Sequence, residues 1–144
     1  MVGDVVPPCS VAREPRAIGL IRAVLEGGGR LELAAGGHSM YPAILHGDVL
    51  TVVRPDASAL TVGCVVLIHR GDSLVAHRVV AKTCDRLVTR GDACELDDAE
   101  ISDSDVVGLV TGSRSRPGGR WRAFVARAWS RLRSRGGQRG SSTA

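Results

Sequence analysis

The stretch CVVLIHRGDSLVAHRVV, residues 64–80, decides the fold class of this chain. Residues 64–69 and 73–80 are rich in β-branched side chains, and the turn residues Gly71 and Asp72 stand between them. Two such runs separated by a short glycine-containing turn are typical of a β-hairpin. The sequence therefore predicts two antiparallel strands in this part of the chain.

Further short strands are predicted on both sides of the hairpin. Apolar alternation or short apolar runs occur at residues 30–35, 48–53, 86–89 and 106–111. Turn residues separate these runs about every ten residues, which indicates a mostly-β barrel or sandwich of six or seven strands.

The N-terminal part of the chain precedes this β-rich region. Residues 1–14 are predicted to be a loose arm, because Pro7 and Pro8 block regular structure. A short helix is predicted from Pro15, because apolar residues recur every three or four positions up to Leu25, and glycines follow at residues 27–29. The predicted folded domain covers residues 15–112.

Composition limits the size of the core and the class of partner. The 144 residues fit one domain, and with 3% aromatic residues the core must consist of Val, Leu, Ile and Ala. Residues 1–113 contain all 15 acidic residues and have a net charge of −5, whereas residues 114–144 contain nine Arg and no acid. This is an acidic domain with a basic tail, which excludes a uniformly basic nucleic-acid-binding protein.

The basic tail, residues 113–144, is predicted to contain a linker, an amphipathic helix between Arg120 and Arg135, and a flexible end. The apolar side of this helix contains Trp121 and Phe124, with Trp129 beside them. A basic helix of this kind suits the surface of an anionic membrane. Packing on the domain or full solvation is the equally weighted alternative. Nucleic acid is not expected, since no recognised DNA-binding pattern accompanies the arginines.

Targeting and redox signals favour a cytoplasmic protein, free or peripheral at a membrane. No apolar run reaches 18 residues, and the N-terminus lacks the pattern of a secretory signal. The four cysteines show no CxxC spacing, so free thiols are expected, with two disulfides as the alternative. No cofactor motif and no metal-ligand grouping is present. The oligomeric state stays open.

Three segments could carry chemistry. Ser39 follows Gly36 and Gly37 on a bend, where small residues let a substrate backbone approach and main-chain N–H groups point at an oxyanion. His77 shares strand parity with two valines and could act as a neutral base. Structural roles in a turn and in a half-buried strand are the ordinary alternatives for the two residues.

The third segment is an acidic loop with four carboxylates within residues 92–98. Such a loop is usually solvated, but one carboxylate could turn inward and orient a histidine. Calcium binding is a weaker alternative, since the twelve-residue register of an EF-hand is missing. His38 adjoins Ser39 and is a poor base, and His46 and His69 are expected at the surface.

Taken in order, these segments resemble the type I signal peptidases and their LexA-like relatives. SMYPAILHGD at residues 39–48 is similar to the nucleophile box of that superfamily, and GCVV at 63–66 to its next strand. HRVV at 77–80 stands where the base lies, and TRGDACELDD at 89–98 resembles the acidic box. The resemblance covers about residues 31–111 and implies the mostly-β catalytic fold of these peptidases.

The residue at the position of the general base indicates which branch of this superfamily the chain resembles. Bacterial signal peptidases and LexA-type proteins have lysine there, but the only lysine of this chain, Lys82, is five residues further on and predicted to face the opposite side of the strand. A histidine at this position resembles the archaeal, endoplasmic-reticulum and sporulation-type signal peptidases. That likeness implies a Ser–His pair assisted by an aspartate.

Matched by position, the resemblance implies Ser39 as nucleophile and His77 as general base. Asp98 is the first candidate for the orienting acid and Asp92 the second. The Ser39 N–H is the expected oxyanion donor, with Gly37 and Met40 beside it in the oxyanion and substrate-binding region. Gly37 stands where lysine-type enzymes place a serine hydroxyl. Cys94 also departs from the pattern, since asparagine is usual there.

The sequence thus predicts a serine endopeptidase that cleaves a signal, leader or precursor peptide without a cofactor. The absence of a spanning anchor favours a dedicated precursor inside the cell. One alternative is a catalytically inactive domain of the same fold, tethered by the basic tail. A self-cleaving LexA-like regulator is the other, disfavoured because no helix-turn-helix precedes the domain and the lysine is missing.

Overall fold

The computed structural model describes residues 7–115 and the backbone of residues 121–123. One α-helix, α1, covers Pro15–Glu26, and short 3₁₀ turns cover Ala57–Ala59 and Asp103–Asp105. The described residues form nine strands: β1 Ser10–Ala12, β2 Leu31–Ala34, β3 Asp48–Val53, β4 Val65–Arg70, β5 Ser73–Lys82, β6 Arg86–Arg90, β7 Ile101–Ser102, β8 Val106–Ser115 and β9 Trp121–Ala123.

All nine strands belong to one sheet in which neighbours run antiparallel. The order is β2-β3-β8-β4-β5-β6-β7, with β1 paired to β5 and β9 paired to β8. The mostly-β prediction is confirmed. The position of β8 between β3 and β4 brings residues 106–115 into the middle of the sheet, beside strands that are more than 35 residues earlier in the sequence, a pairing that no local pattern encodes.

The hairpin of β4 and β5 has the predicted turn. Arg70 lies opposite Ser73, so Gly71 and Asp72 form a two-residue loop. Gly71 has a φ of 60°, a left-handed conformation that glycine adopts without a steric penalty. The local turn chemistry thus sets the register that places His77 opposite Val66 of β4.

Both faces of the sheet are covered, which explains the unbroken apolar run of β4. Val65 and Leu67 pack in a first core cluster with the helix, whereas Val66 and Ile68 pack in a second cluster. Successive strand residues point to opposite faces, so a strand buried on both sides has no polar positions.

Helix α1 has the predicted bounds and covers the first core cluster with Ile18, Ile21 and Leu25. Gly108 of β8 allows this close approach, because a Cβ there would lie 2.6 Å from Val52 Cγ1 and 3.1 Å from Leu25 Cδ1. Among the residues that the structure describes, no helix is long and apolar enough to cross a membrane.

The prediction of a loose arm over residues 1–14 is wrong for residues 10–12. Residues Ser10–Ala12 form β1 beside Leu74 and Val75 of β5. Strand β6 pairs with β5 over Arg78–Lys82, so the earlier part of the same β5 edge is left open for another strand. Unpaired N–H and C=O groups of such an edge bind any extended segment that reaches them. Residues 1–6 lie outside the described residues.

The predicted helix between Arg120 and Arg135 is also wrong where it can be compared. Trp121–Ala123 form β9, which pairs with residues 112–114 of β8. Strand β4 pairs with β8 only up to Val110. The backbone groups of β8 beyond Val110 on that edge are therefore free to pair with another strand. The rest of the predicted helix, residue 120 and residues 124–135, lies outside the described residues, as does the tail after it.

Candidate functional site

Ser39 and His77, 38 residues apart in sequence, meet in the folded chain. The Ser39 Oγ lies 3.1 Å from His77 Nε2. Ser39 lies in the turn between β2 and β3, and His77 comes from β5, so the sheet brings the two elements together. Both side chains are only 1% exposed. The hydroxyl and the imidazole are therefore a buried hydrogen-bonded pair.

Asp98 completes a chain of three groups. Its Oδ2 lies 2.5 Å from His77 Nδ1 and accepts a hydrogen bond of 2.7 Å from Thr89 Oγ1. Its other oxygen, Oδ1, accepts from Arg70 Nη1 at 2.5 Å. The Asp98 N–H donates to the Thr89 carbonyl at 2.8 Å, which anchors the acidic loop beside β6. Three side chains thus hold this carboxylate in place.

The ionised form of Asp98 is favoured by these contacts. Burial raises the pKa of the Asp98 carboxyl, but hydrogen bonds from His77 and Thr89 and the nearby charges of His77 and Arg70 lower it more. The net result is a pKa below the ordinary value of a carboxyl group. A carboxylate in this state can accept the Nδ1–H of His77 and leave Nε2 facing the serine hydroxyl.

Asp92, the second candidate acid, lies elsewhere. Its two carboxylate oxygens accept from Arg78 Nε and Nη2, each at 2.8 Å. The hydrogen bond to Asp92 is the main cause that raises the pKa of Arg78 further. Arg78 Nη1 also donates to the Gly63 carbonyl at 2.7 Å. Of the two candidates, the structure brings only Asp98 to His77, and it places Asp92 in an ion pair.

The Ser39 N–H and a second donor point at one carbonyl oxygen. The oxygen of Pro7 accepts from Ser39 N at 3.1 Å and from His38 N at 3.0 Å. Two main-chain N–H groups that converge on a carbonyl oxygen beside a serine have the geometry that an oxyanion requires. Sequence reasoning named the Ser39 N–H and missed the His38 N–H, whose direction depends on the backbone of the turn.

Gly37 allows a peptide backbone to approach Ser39. Its φ is 85°, and a Cβ on it would lie 2.0 Å from the Pro8 carbonyl oxygen. The Gly37 N–H donates to His46 Nδ1 at 3.0 Å, so His46 supports the turn from the protein surface. The other predicted neighbour, Met40, is fully buried in the first core cluster, which also contains Cys9.

The acidic loop packs directly on the serine turn. Ala93 N–H donates to the Ser39 carbonyl at 2.8 Å. A Cβ on Gly91 would lie 2.6 Å from that carbonyl oxygen and 2.8 Å from Cys94 Sγ. Gly91 is therefore closely packed between Ser39 and Cys94. The loop that supplies Asp98 also fixes the position of Ser39.

The remaining candidates lie away from the pair. Lys82 Nζ donates to the Ala57 carbonyl at 3.1 Å, and His69 is exposed on β4. All four cysteines are free thiols. Within residues 7–115, no group of three His, Cys, Asp or Glu side chains could hold a metal ion.

Sequence reasoning missed two contacts of Asp98. Thr89 is the first residue of the acidic box and has a fully buried side chain on β6. Its strand parity with buried Leu87 was a usable signal. Arg70 had no such signal, because it is 28 residues from Asp98 and reaches it only when the β4–β5 hairpin packs beside the loop.

Comparison with protein-family models, with curated proteins and with solved structures finds no match to this chain. Its function has to be argued from the geometry of the site and from the residues that form it.

Proposed function

We propose that this protein is a serine endopeptidase that cleaves a signal, leader or precursor peptide. The observation that supports this function is the hydrogen-bonded series from Ser39 Oγ to His77 Nε2 and from His77 Nδ1 to Asp98 Oδ2. A nucleophile within reach of a base, which is oriented by a third group, is the arrangement that activates a serine hydroxyl.

The reaction starts with neutral His77. Its Nε2 takes the proton of the Ser39 hydroxyl while Oγ forms a bond to the carbonyl carbon of the peptide. The negative charge that develops on the carbonyl oxygen is stabilised by the N–H groups of Ser39 and His38. Asp98 accepts the Nδ1–H, which keeps the imidazole in the productive tautomer and stabilises the imidazolium.

Collapse of the tetrahedral intermediate breaks the peptide bond. His77 gives its proton to the leaving amine, and the acyl group stays on Ser39. Water then attacks this ester with His77 as the base, which releases the carboxylic acid and restores the serine hydroxyl. The reaction needs no metal and no cofactor, and burial of Ser39 and His77 strengthens every electrostatic interaction in it.

A peptide substrate is favoured by the backbone hydrogen-bonding groups beside Ser39. The edge of β5 around Val75 and the Gly36 backbone form hydrogen bonds to an extended segment between them. Addition of a strand to a sheet edge is a general way to bind a peptide backbone. The similarity of the ordered sequence boxes to signal peptidases supports a leader or precursor as the source of that peptide.

A serine-reactive phosphonate probe, with the adduct located by mass spectrometry, tests the nucleophile. We expect the adduct on Ser39 and none in Ser39→Ala or His77→Ala, whereas the exposed controls Ser58→Ala and His69→Ala react like the wild type. Against a library of leader-like peptides, each loss should lower kcat/KM by about 10³-fold or more, and the losses should not add.

The same measurements separate the alternatives. Turnover by pure Ser39→Ala protein would contradict the assignment of the nucleophile. A Ser39 that stays unreactive in the folded protein, also in variants that release residues 7–12 from it, would favour a binding domain without catalysis. Cleavage of the chain itself at a rate independent of concentration would favour the self-cleaving regulator.

A further inference from the structure

We propose that residues 7–12, which we call the N-terminal strap, are an intramolecular inhibitor that occupies the peptide groove of its own molecule. The inference rests on the proposed function, because a strap can inhibit only a site that acts on peptides. A substrate must displace the strap before its carbonyl reaches Ser39.

The first observation is at the oxyanion donors. Both N–H groups that face the site, those of Ser39 and His38, are bound to the Pro7 carbonyl oxygen. A substrate carbonyl needs the same two donors at the moment of attack. The strap and a substrate therefore exclude each other at this position.

The second observation is at the nucleophile. Cys9 N–H donates to Ser39 Oγ at 2.7 Å, so a lone pair of the hydroxyl oxygen is engaged by the strap. The Pro8 carbonyl oxygen lies where a side chain on residue 37 would be, in the space that Gly37 leaves free. The strap thus contacts both the Ser39 hydroxyl and the backbone at Gly37.

The third observation is the backbone ladder, which resembles a bound peptide. Ser10 N–H donates to the Gly36 carbonyl at 2.9 Å, and Gly36 N–H donates back to the Ser10 carbonyl at 2.8 Å. On the other side, Ala76 N–H donates to the Cys9 carbonyl at 2.9 Å. The partners of the strap are backbone groups of Gly36 on one side and of Ala76 in β5 on the other. Any extended peptide between them can form the same hydrogen bonds.

The strap can leave because most of its attachment is exchangeable. Its ladder hydrogen bonds would be replaced by those of the substrate, and Pro7 is exposed. Cys9 is its one fully buried residue, with a small side chain that is 1% exposed, and Val11 and Ala12 are only partly buried against the first core cluster. A short strand attached in this way can undock without unfolding of the sheet.

Cys9 also reports the state of the strap. Burial, and then the charge of Asp48, raises the pKa of the Cys9 thiol to about 12, so the docked thiol does not react with iodoacetamide at neutral pH. Cys64, buried in the second core cluster, reacts only when the domain unfolds, and exposed Cys84 gives the full reaction rate. Labelling of each cysteine is measured by mass spectrometry in one sample.

The deciding variant is Ser10→Pro, with Ser10→Ala as its matched control. Proline removes the N–H that bonds to the Gly36 and Pro8 carbonyls, whereas alanine keeps it. With the loss of these bonds we expect Cys9 labelling and phosphonate labelling of Ser39 both to rise about tenfold, with Cys64 unchanged. Ser10→Ala should label like the wild type at all three positions.

A second variant covers the case in which Ser10→Pro unfolds the chain, which labelling of Cys64 would reveal. Pro7→Gly/Pro8→Gly keeps every N–H of the strap and increases the entropy of its undocked state. We expect Cys9 and Ser39 labelling to rise together by severalfold.

The outcomes distinguish this inference from the proposed function. Faster labelling of Cys9 with an unchanged, measurable rate at Ser39 overturns the inhibitory strap and leaves the peptidase standing. Ser39 that stays unreactive in every variant contradicts the peptidase, and the strap with it. Cleavage of the wild-type chain after Pro7 overturns the inference as well, because the strap would then be a substrate.

Discussion

At the scale of single residues, the contacts of one carboxylate define the site. Asp98 touches His77, Thr89 and Arg70, and the first of these contacts determines which nitrogen of the imidazole faces Ser39. Asp92 is six positions earlier in the same acidic box but bonds to Arg78. Two carboxylates of equal chemistry in one loop are therefore distinguished by their partners.

Replacement of each acid by its amide tests this assignment. In Asp98→Asn we expect kcat/KM to fall by about 10²–10⁴-fold, because the imidazole loses its orienting acceptor and takes the wrong tautomer. Asp97→Asn, an exposed neighbour in the same loop, is the matched control and should keep wild-type activity. Rates are measured with a peptide that the wild type cleaves.

Asp92→Asn serves as the comparison between the two candidates. Because it breaks an ion pair and leaves His77 untouched, we expect kcat/KM within about threefold of the wild type. A loss as large as that of Asp98→Asn would show that the wrong carboxylate has been assigned to His77.

The pH dependence of stability follows from the same carboxyl. Because its folded pKa lies below the ordinary value near ~3.9, its contribution is complete above that value and is lost as the pH falls through the folded pKa. We expect the difference in free energy of unfolding between wild type and Asp98→Asn to shrink below about pH 4. Urea unfolding at pH 7, 4 and 3 measures it, and a difference that grows on acidification would reverse the sign.

At the scale of elements, edges left open by short strands determine what reaches the site. Strand β6 pairs with only part of β5, and the N-terminal strap fills the rest beside Ser39. On the opposite side of the turn, Gly91 lets the acidic loop touch the Ser39 carbonyl. Ser39 therefore lies between the N-terminal strap and a close-packed loop.

A methyl group at Gly91 should disturb this packing. In Gly91→Ala the new Cβ would lie 2.6 Å from the Ser39 carbonyl oxygen, so the serine turn must shift, and we expect kcat/KM to fall at least about tenfold. Gly19→Ala is the control on the exposed side of α1, where nothing lies within 4 Å of the new methyl group.

Gly19→Ala is also expected to change the stability of the protein. Alanine in place of Gly19 should raise the free energy of unfolding by about 0.5–1 kcal/mol, because glycine in a helix costs that amount of backbone entropy. Denaturant unfolding measures this free energy for Gly19→Ala and for Gly91→Ala.

The activity of Gly91→Ala tests the role of the loop. A kcat/KM equal to that of the wild type would mean that the loop does not position Ser39.

At the scale of the whole molecule, stability comes from two aliphatic core clusters on the two faces of one sheet. Neither cluster contains an aromatic side chain, as the composition requires. The central strand β4 contributes to both, so its residues connect the two faces. His77 of β5 lies opposite Val66 of this strand, in a buried part of the sheet.

Truncation of a β4 side chain should therefore be costly. Leu67 is fully buried in the first cluster, and Leu67→Ala should lower the free energy of unfolding by about 2–5 kcal/mol through lost burial and a cavity. Leu20→Ala, on the exposed side of α1, should change it by less than about 0.5 kcal/mol. Equal losses in the two variants would contradict the assignment of the core.

Local sequence patterns correctly predicted the helix and strands that are determined by residues near each other in the chain. The helix Pro15–Glu26, the β4–β5 hairpin and strand β3 follow from apolar periodicity and from turn residues, because these act within a few positions of the chain. The same patterns failed for β1 and β9, since each forms only where another strand leaves an edge unpaired.

For the site, the sequence by itself determined which residues were candidates: a serine after glycines, a histidine on a strand and carboxylates in one loop. Only the tertiary structure decided that Ser39 meets His77, that Asp98 and not Asp92 joins them, and that the strap covers them. The physical reason is that side-chain type is a property of one position. Contact across a sheet depends on the pairing of distant strands, which the packing of the whole molecule selects.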